Sequence, residues 1–337
     1  MNETTFLVIT SIAKPDNKVL QLFAQESKLK KFDFIVIGDK PSPADFHIEG
    51  CQFYGLETQK KLDFAFAKKV PERHYSRKNI GYLQAIKSGA KIIVETDDDN
   101  FPKLEFWNER EAQQQIPVLE NQEWVNIYNY FTKNTIWPRG YPLEEIQKSV
   151  PELNDFPTVT AFCPIQQGLA DENPDVDAVF RLTNSQATYF DKNIKVGLGK
   201  KSWCPFNSQN TRFFPPAFPL MYLPSYCSFR MTDIWRSFVA QRICWENQWT
   251  ILFDEASVWQ ERNSHNLLRD FEDELPGYLN NHKICKTLEA LELKKGEEHL
   301  FENLKSCYQS LVNLGVVGEE ELPLLDCWIA DLKQLGY

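Results

Sequence analysis

Three features of this 337-residue chain predict an α/β protein built on a mostly parallel, doubly wound sheet. Apolar, β-branched runs alternate with amphipathic stretches in strand–helix–strand order over the N-terminal third. These runs are apolar throughout, the composition of strands covered on both faces. One of them, Lys91-Ile92-Ile93-Val94-Glu95-Thr96, ends abruptly in Asp97-Asp98-Asp99-Asn100. Ligands of open α/β sheets bind beyond the carboxyl ends of the strands, so this ending marks where chemistry is expected.

Residues 6–10 read as a first buried strand closing on Thr10-Ser11. Residues 17–30 follow as an amphipathic helix, with Val19, Leu20, Leu22 and Phe23 among polar neighbours. Residues 33–39 form the second strand, ended by Gly38 and the Pro41/Pro43 turn. Thr10, Ser11 and Asp39 thus stand at strand carboxyl ends, either as caps and turn formers or as nucleotide contacts. The stretch 55–69 shows no clear pattern. The basic loop from Arg73 to Asn79 feeds a helix over 80–87, with Ile80, Leu83 and Ile86 as its stripe and Ser88-Gly89 as its end. Arg77, Lys78 and Asn79 lie at that helix's amino end, either as a solvated loop or as a clamp on diphosphate oxygens.

Three adjacent carboxylates repel one another. A divalent cation, Mg²⁺ or Mn²⁺, together with a phosphate-bearing ligand would satisfy them; a solvated acidic turn is the other reading. Residues 101–160 lose periodicity and gain Trp, Pro and Asn, through Trp124 and Trp137-Pro138-Arg139-Gly140, as a substrate-covering loop does. A strand over 165–170 precedes an acidic turn at 171–177. The segment 205–211, with Asn207 and Gln209, is dense in amides and hydroxyls that suit a polyhydroxylated ligand, or an ordinary polar loop. Residues 228–233, with Arg230, open an amphipathic helix in which Asp233 is either a cap or a carboxylate held as a general base. His265 follows an apparent strand, as a satisfied residue or a ligand. From about 279 the chain turns helical and charged, with helices over 296–313 and 321–335. The expected division is a catalytic domain over 1–275 and a helical appendage over 276–337 that packs on it or joins two copies.

Lys+Arg 37 against Asp+Glu 47 leaves a net charge of −10, which argues against a nucleic-acid-coating surface or an anionic-membrane binder. No apolar run has the length of a membrane span, and the first residues lack the basic region of a signal peptide. The eight scattered cysteines read as reduced thiols of a cytoplasmic protein. No phosphate-binding G-x-x-x-x-G-K-[ST] motif is present.

Arg77-Lys78-Asn79-Ile80-Gly81-Tyr82-Leu83, Glu95-Thr96-Asp97-Asp98-Asp99-Asn100, Trp137-Pro138-Arg139-Gly140, Gln166-Gln167-Gly168-Leu169, Asp175-Val176-Asp177, Phe206-Asn207-Ser208-Gln209-Asn210-Thr211 and Ser228-Phe229-Arg230 through Asp233-Ile234-Trp235-Arg236 occur in the order seen in STELLO-type proteins. Over roughly residues 5–275 the chain resembles that glycosyltransferase-like family, whose plant members are Golgi proteins associated with cellulose synthesis. The resemblance implies a GT-A fold: a Rossmann-like sheet flanked by helices whose D-x-D motif binds a divalent metal and a nucleoside diphosphate sugar. Carried over, Asp97 and Asp99 would be that motif around Asp98, with Asp99 as direct metal ligand and Asp97 towards the ribose. Arg77 and Lys78 would be nucleotide contacts, Asp233 the base of an inverting enzyme, and His265 a third metal ligand. Aromatic residues of the 124–141 loop would stack on sugar faces, with a hydroxyl-bearing glycan or small molecule as acceptor. The plant members' membrane anchor has no counterpart here, so the expectation is a cytoplasmic protein, at most peripheral to membrane-bound glycan synthesis. Two further readings are a catalytically silent scaffold for polysaccharide synthesis and a sugar nucleotidyltransferase, which lacks its usual glycine-rich loop here.

Overall fold

The computed structural model describes residues 4–261 and 266–337. Strand β1 (Thr5–Thr10) leads into helix α1 (Lys18–Lys30), capped by the Asn17 side chain, and then into β2 (Phe32–Ile37) and β3 (Gln52–Tyr54). Two short helices, α2 (Leu56–Lys60) and α3 (Ala65–Lys69), precede α4 (Lys78–Lys87) and β4 (Ile92–Thr96). The middle of the chain holds β5 (Asn100–Pro102), β6 (Gln113–Leu119), β7 (Glu123–Trp124), α5 (Tyr128–Phe131), β8 (Thr158–Phe162), β9 (Ile165–Asp171) and α6 (Ala178–Thr183). There follow β10 (Lys195–Leu198), β11 (Ser202–Trp203), β12 (Asn210–Phe213), α7 (Thr232–Glu246) and β13 (Ile251–Gln260). Helices α8 (Leu267–Glu289), α9 (Leu300–Asn313) and α10 (Glu321–Gln334) close the chain.

The main sheet runs β3-β2-β1-β4-β12-β9-β13-β10-β6-β8, with β5 paired to β13. Its first four strands are parallel, as the alternating pattern predicts. β1 shows why: Phe6 and Val8 enter one apolar cluster, and Leu7 and Ile9 the cluster on the other face. Beyond β4 the sheet is mixed rather than mostly parallel, because β12 runs antiparallel to both β4 and β9. The α/β class holds, with helices on both faces.

The stretch expected as a covering loop contains β6 and β8, an antiparallel pair whose Gln- and Thr-rich strands lack an apolar signature. Its aromatic residues are core rather than sugar platforms. Trp124, Trp137 and Tyr141 are all buried, and Trp124 packs edge-on against Tyr141 and Phe238.

The expected boundary at 275/276 falls inside α8. Pro276-Gly277 disguises the helix as two segments, yet Gly277 is where α8 meets α7's amino end: a Cβ there would lie 2.2 Å from Met231 Sδ. Buried carboxylates fix α10 to the rest of the molecule. Asp331 accepts the Ala65 and Phe66 amides at 2.8 Å, and Glu321 accepts those of Ser225 (2.9 Å) and Tyr226 (2.7 Å). The three last helices share the main core. Among the described residues no helix is long and apolar enough to cross a membrane.

Candidate nucleotide and metal site

The parallel order β2-β1-β4 brings Asp39, Thr10-Ser11 and the aspartate triplet to neighbouring strand carboxyl ends. Ser11 Oγ donates to Asp98 Oδ2, and Asn17 Nδ2 donates to the Asp98 carbonyl at 3.1 Å. Ser42 Oγ links the first two loops, donating to the Ser11 carbonyl (3.1 Å) and accepting the Asp39 amide (2.9 Å). Asp39 turns its carboxylate to the backbone, accepting the Lys40 amide at 2.7 Å and the His74 amide at 2.9 Å.

Lys78 is fully buried, and its ammonium donates to the Thr96 carbonyl (3.0 Å) and to Asp97 Oδ1 (3.1 Å). The Asp97 side chain keeps 41% of its surface exposed. Its neighbours do not share Lys78's direction. Arg77 is buried, with Nε and Nη2 on Gln59 Oε1 (2.8 and 2.6 Å) and Nη1 on the Val70 carbonyl (3.1 Å). Asn79 exchanges two 2.9 Å hydrogen bonds with the Leu223 backbone. The diphosphate clamp expected of these three residues therefore narrows to Lys78, because the donors of the other two are used internally.

The triplet is electrostatically unsatisfied. Enclosure raises the Asp97, Asp98 and Asp99 carboxyls above the usual range, and Asp99, also repelled by Asp97 and Asp98, is pushed up to about 7. Asp99 Oδ2 accepts from Gln260 Nε2 at 3.0 Å, while its buried Oδ1 has no hydrogen-bond partner among the described residues. Three carboxylates against one ammonium leave a cluster with an excess of negative charge, a donor set of hard oxygens whose chemistry suits a dication at Asp99 and Asp97. Among the described residues no group of three His, Cys, Asp or Glu side chains is disposed as a complete cage. Mg²⁺-type sites of one or two carboxylates completed by substrate phosphates need none. His265 lies outside the described residues.

A second cluster faces the first. Asp233, in the first turn of α7, is close enough that its charge raises Asp97's pKa. It is not a free carboxylate. Arg139 Nη2 donates to Asp233 Oδ2 (2.9 Å), Tyr75 Oη to Oδ1 (3.1 Å), and the Ser208 amide to Oδ2 (3.1 Å). Burial alone would raise its pKa, but the charge and hydrogen bond of Arg139, with help from Arg236 and Ser208, hold the carboxyl well below the usual range. So weak a proton acceptor does not fit the general-base role expected of Asp233. Arg139 also grips Asp175 through two 2.8 Å bonds and reaches the Arg230 carbonyl. Gly140 permits this approach: its φ is +86°, and a Cβ would lie 2.4 Å from Ile234 Cγ2.

The remaining candidates serve the frame. Trp137 Nε1 donates to Asp177 (2.7 Å), Arg230 forks onto Glu274 (3.0 and 2.8 Å), and the Asn207 side chain caps its own turn through the Gln209 amide (3.0 Å). Gln209 Nε2 does reach the cluster, donating to Asn100 Oδ1 at 3.2 Å. Sequence reasoning missed Tyr75, Gln260 and the buried Arg236–Glu95 ion pair (2.7 Å), which Phe206 and Phe213 flank. Asp175 had a signal in its Asp-Val-Asp segment.

The family model described as STELLO glycosyltransferases matches residues 230–337. The probable glycosyltransferase STELLO2 of Arabidopsis thaliana is 28% identical over 98% of this chain. The probable glycosyltransferase STELLO1 of the same plant is 29% identical over 99% of it. The chain is similar to these two plant proteins over nearly all of its length. It spans 45% of the length of either plant relative. Among solved structures, a mycobacterial protein aligns over 83% of this chain and 75% of its own (TM-score 0.41, 11% identity). TarS of S. aureus aligns over 98% of this chain and 54% of its own (TM-score 0.34, 13% identity).

The loop carrying Tyr75 also makes a pH prediction for this chain. Burial lowers the His74 pKa from 6.5 to about 4, against the upward pull of Asp39, and the neutral Nδ1 accepts the Ser76 amide at 3.1 Å. A histidine with a depressed folded pKa contributes stability that is complete above 6.5 and is lost as pH falls towards 4. The loss amounts to at most about 3 kcal/mol. An NMR titration of the ring should show His74 still neutral at pH 5.5; protonation at the ordinary histidine value would contradict this.

Proposed function

We propose that this chain transfers a sugar from a nucleoside diphosphate donor, of the uridine type, to a hydroxyl-bearing glycan or small-molecule acceptor, with Mn²⁺ or Mg²⁺ at Asp99 and Asp97. The observation that carries the reading is the half-buried aspartate triplet at the carboxyl end of β4, gripped by Ser11 and Lys78 and retaining an Asp99 oxygen with no partner among the described residues. Kinship to proteins called probable glycosyltransferases supports it.

In the reaction the acceptor hydroxyl oxygen bonds to the anomeric carbon while its O–H bond breaks and the proton passes to the departing diphosphate or to solvent. The bond from that carbon to the diphosphate oxygen breaks, and its electron pair departs with the diphosphate. A bound dication would supply Lewis-acid neutralisation of that departing charge. Lys78 orients Asp97 and opposes the upward pull of desolvation on its carboxyl, and Ser11 fixes Asp98, so the acidic surface is set before the donor arrives. Arg139 holds Asp175 and Asp233 as a rigid wall facing Asp97.

The test is hydrolysis of a panel of nucleotide sugars with Mn²⁺ and no acceptor. One donor should slowly yield free sugar and nucleoside diphosphate. Release of nucleoside monophosphate would point to nucleotidyl chemistry, and nucleotide binding without turnover of any donor would favour a silent scaffold.

A further inference from the structure

At 100° per residue, Leu268, Glu272, Leu275, Leu279, Lys283 and Lys286 of α8 lie on one outward stripe. Leu268 is 70% exposed and Leu279 76%, with Leu275 at 38% between them. A single exposed leucine needs no explanation, but three in line form a patch. The second half of the same helix borders a shallow groove of about 690 Å³ walled by Glu144, His282, Thr287 and Leu291. Leucines therefore project from one half of the stripe while a groove opens along the other.

We propose that this face binds a second copy of the chain, α8 against α8 in antiparallel order about a two-fold axis near residue 278. Such pairing lays the leucine half of each helix over the groove half of the other. It also brings Glu272 of one copy between Lys283 and Lys286 of the other, twice per dimer, as a two-fold interface requires. Charge and shape both reverse along one helix, and that self-complementarity selects a second copy as the occupant. Of the 276–337 segment to which the sequence assigned self-association, α8 offers this face, whereas Leu304, Leu311, Leu325 and Leu332 of α9 and α10 are buried in their own core.

Sedimentation velocity of the full chain over a concentration series tests this. The wild type forms a dimer. Leu279→Ser weakens it by about tenfold or more while the melting curve stays unchanged. Glu272→Lys alone, and Lys283→Glu with Lys286→Glu alone, place like charges together and sediment as monomers. An equimolar mixture of these two variants regains the dimer, because reversed charges then meet across the antiparallel register. A wild type monomeric throughout, charge variants that dimerise unaided, or a mixture that stays monomeric would each overturn the proposal.

Discussion

Replacing Arg139 by methionine is expected to lower unfolding stability by about 3–5 kcal/mol, the usual consequence of leaving buried carboxylates without their cation. Arg139 is nearly buried, and it alone bridges Asp175 to Asp233. Its loss leaves two anions facing each other in the wall opposite the aspartate triplet. Desolvation then dominates at Asp233, whose carboxyl shifts upward towards protonation once the charge and hydrogen bond of Arg139 are gone. Chemical denaturation should show the loss largest at pH 8 and smaller at pH 5, where protonation relieves the strain. Adding Asp233→Asn to Arg139→Met should recover part of the stability, because one stranded charge is removed. A variant as stable as the wild type at pH 8 would show that Arg139 does not hold this wall.

Asp99→Ala is expected to remove metal-dependent nucleotide binding and leave thermal unfolding nearly unchanged. Asp99 makes one side-chain hydrogen bond, to Gln260, while Asp97 and Asp98 repel it. Removing one of three adjacent carboxylates relieves repulsion as it deletes that bond, and the two changes oppose each other in stability. For the ligand they do not. The carboxylate with the unpartnered oxygen is the one best placed to hold a dication, and without it an anionic diphosphate would face Asp97 and Asp98 alone. The donor-hydrolysis rate should fall by at least about a hundredfold, some 2.7 kcal/mol of lost transition-state stabilisation.

The half of the fold that positions the triplet was legible because β1, β2 and β4 are apolar on both faces and α1 and α4 show helical stripes. β12 was not, since Asn210, Thr211 and Arg212 are buried through hydrogen bonds rather than apolar contact. β6 and β8 hid for a related reason, being half-exposed and rich in Gln and Thr. In the site, Ser11 and Lys78 were found together with the aspartates, and their company was misjudged in one respect. Consecutive helical side chains diverge by about 100°, so of Arg77, Lys78 and Asn79 only one can face the triplet. Nothing local says which. Asp233 looked like a free base because its partner Arg139 lies 94 residues away in sequence and arrives only through the fold.

Isothermal titration of UDP into the chain, with and without Mn²⁺, interrogates the acidic site most directly. The geometry at Asp99 predicts measurable binding with the metal present, none resolvable after chelation, and none for Asp99→Ala under either condition. Equal affinity with and without metal, or an Asp99→Ala protein that binds UDP like the wild type, would contradict it.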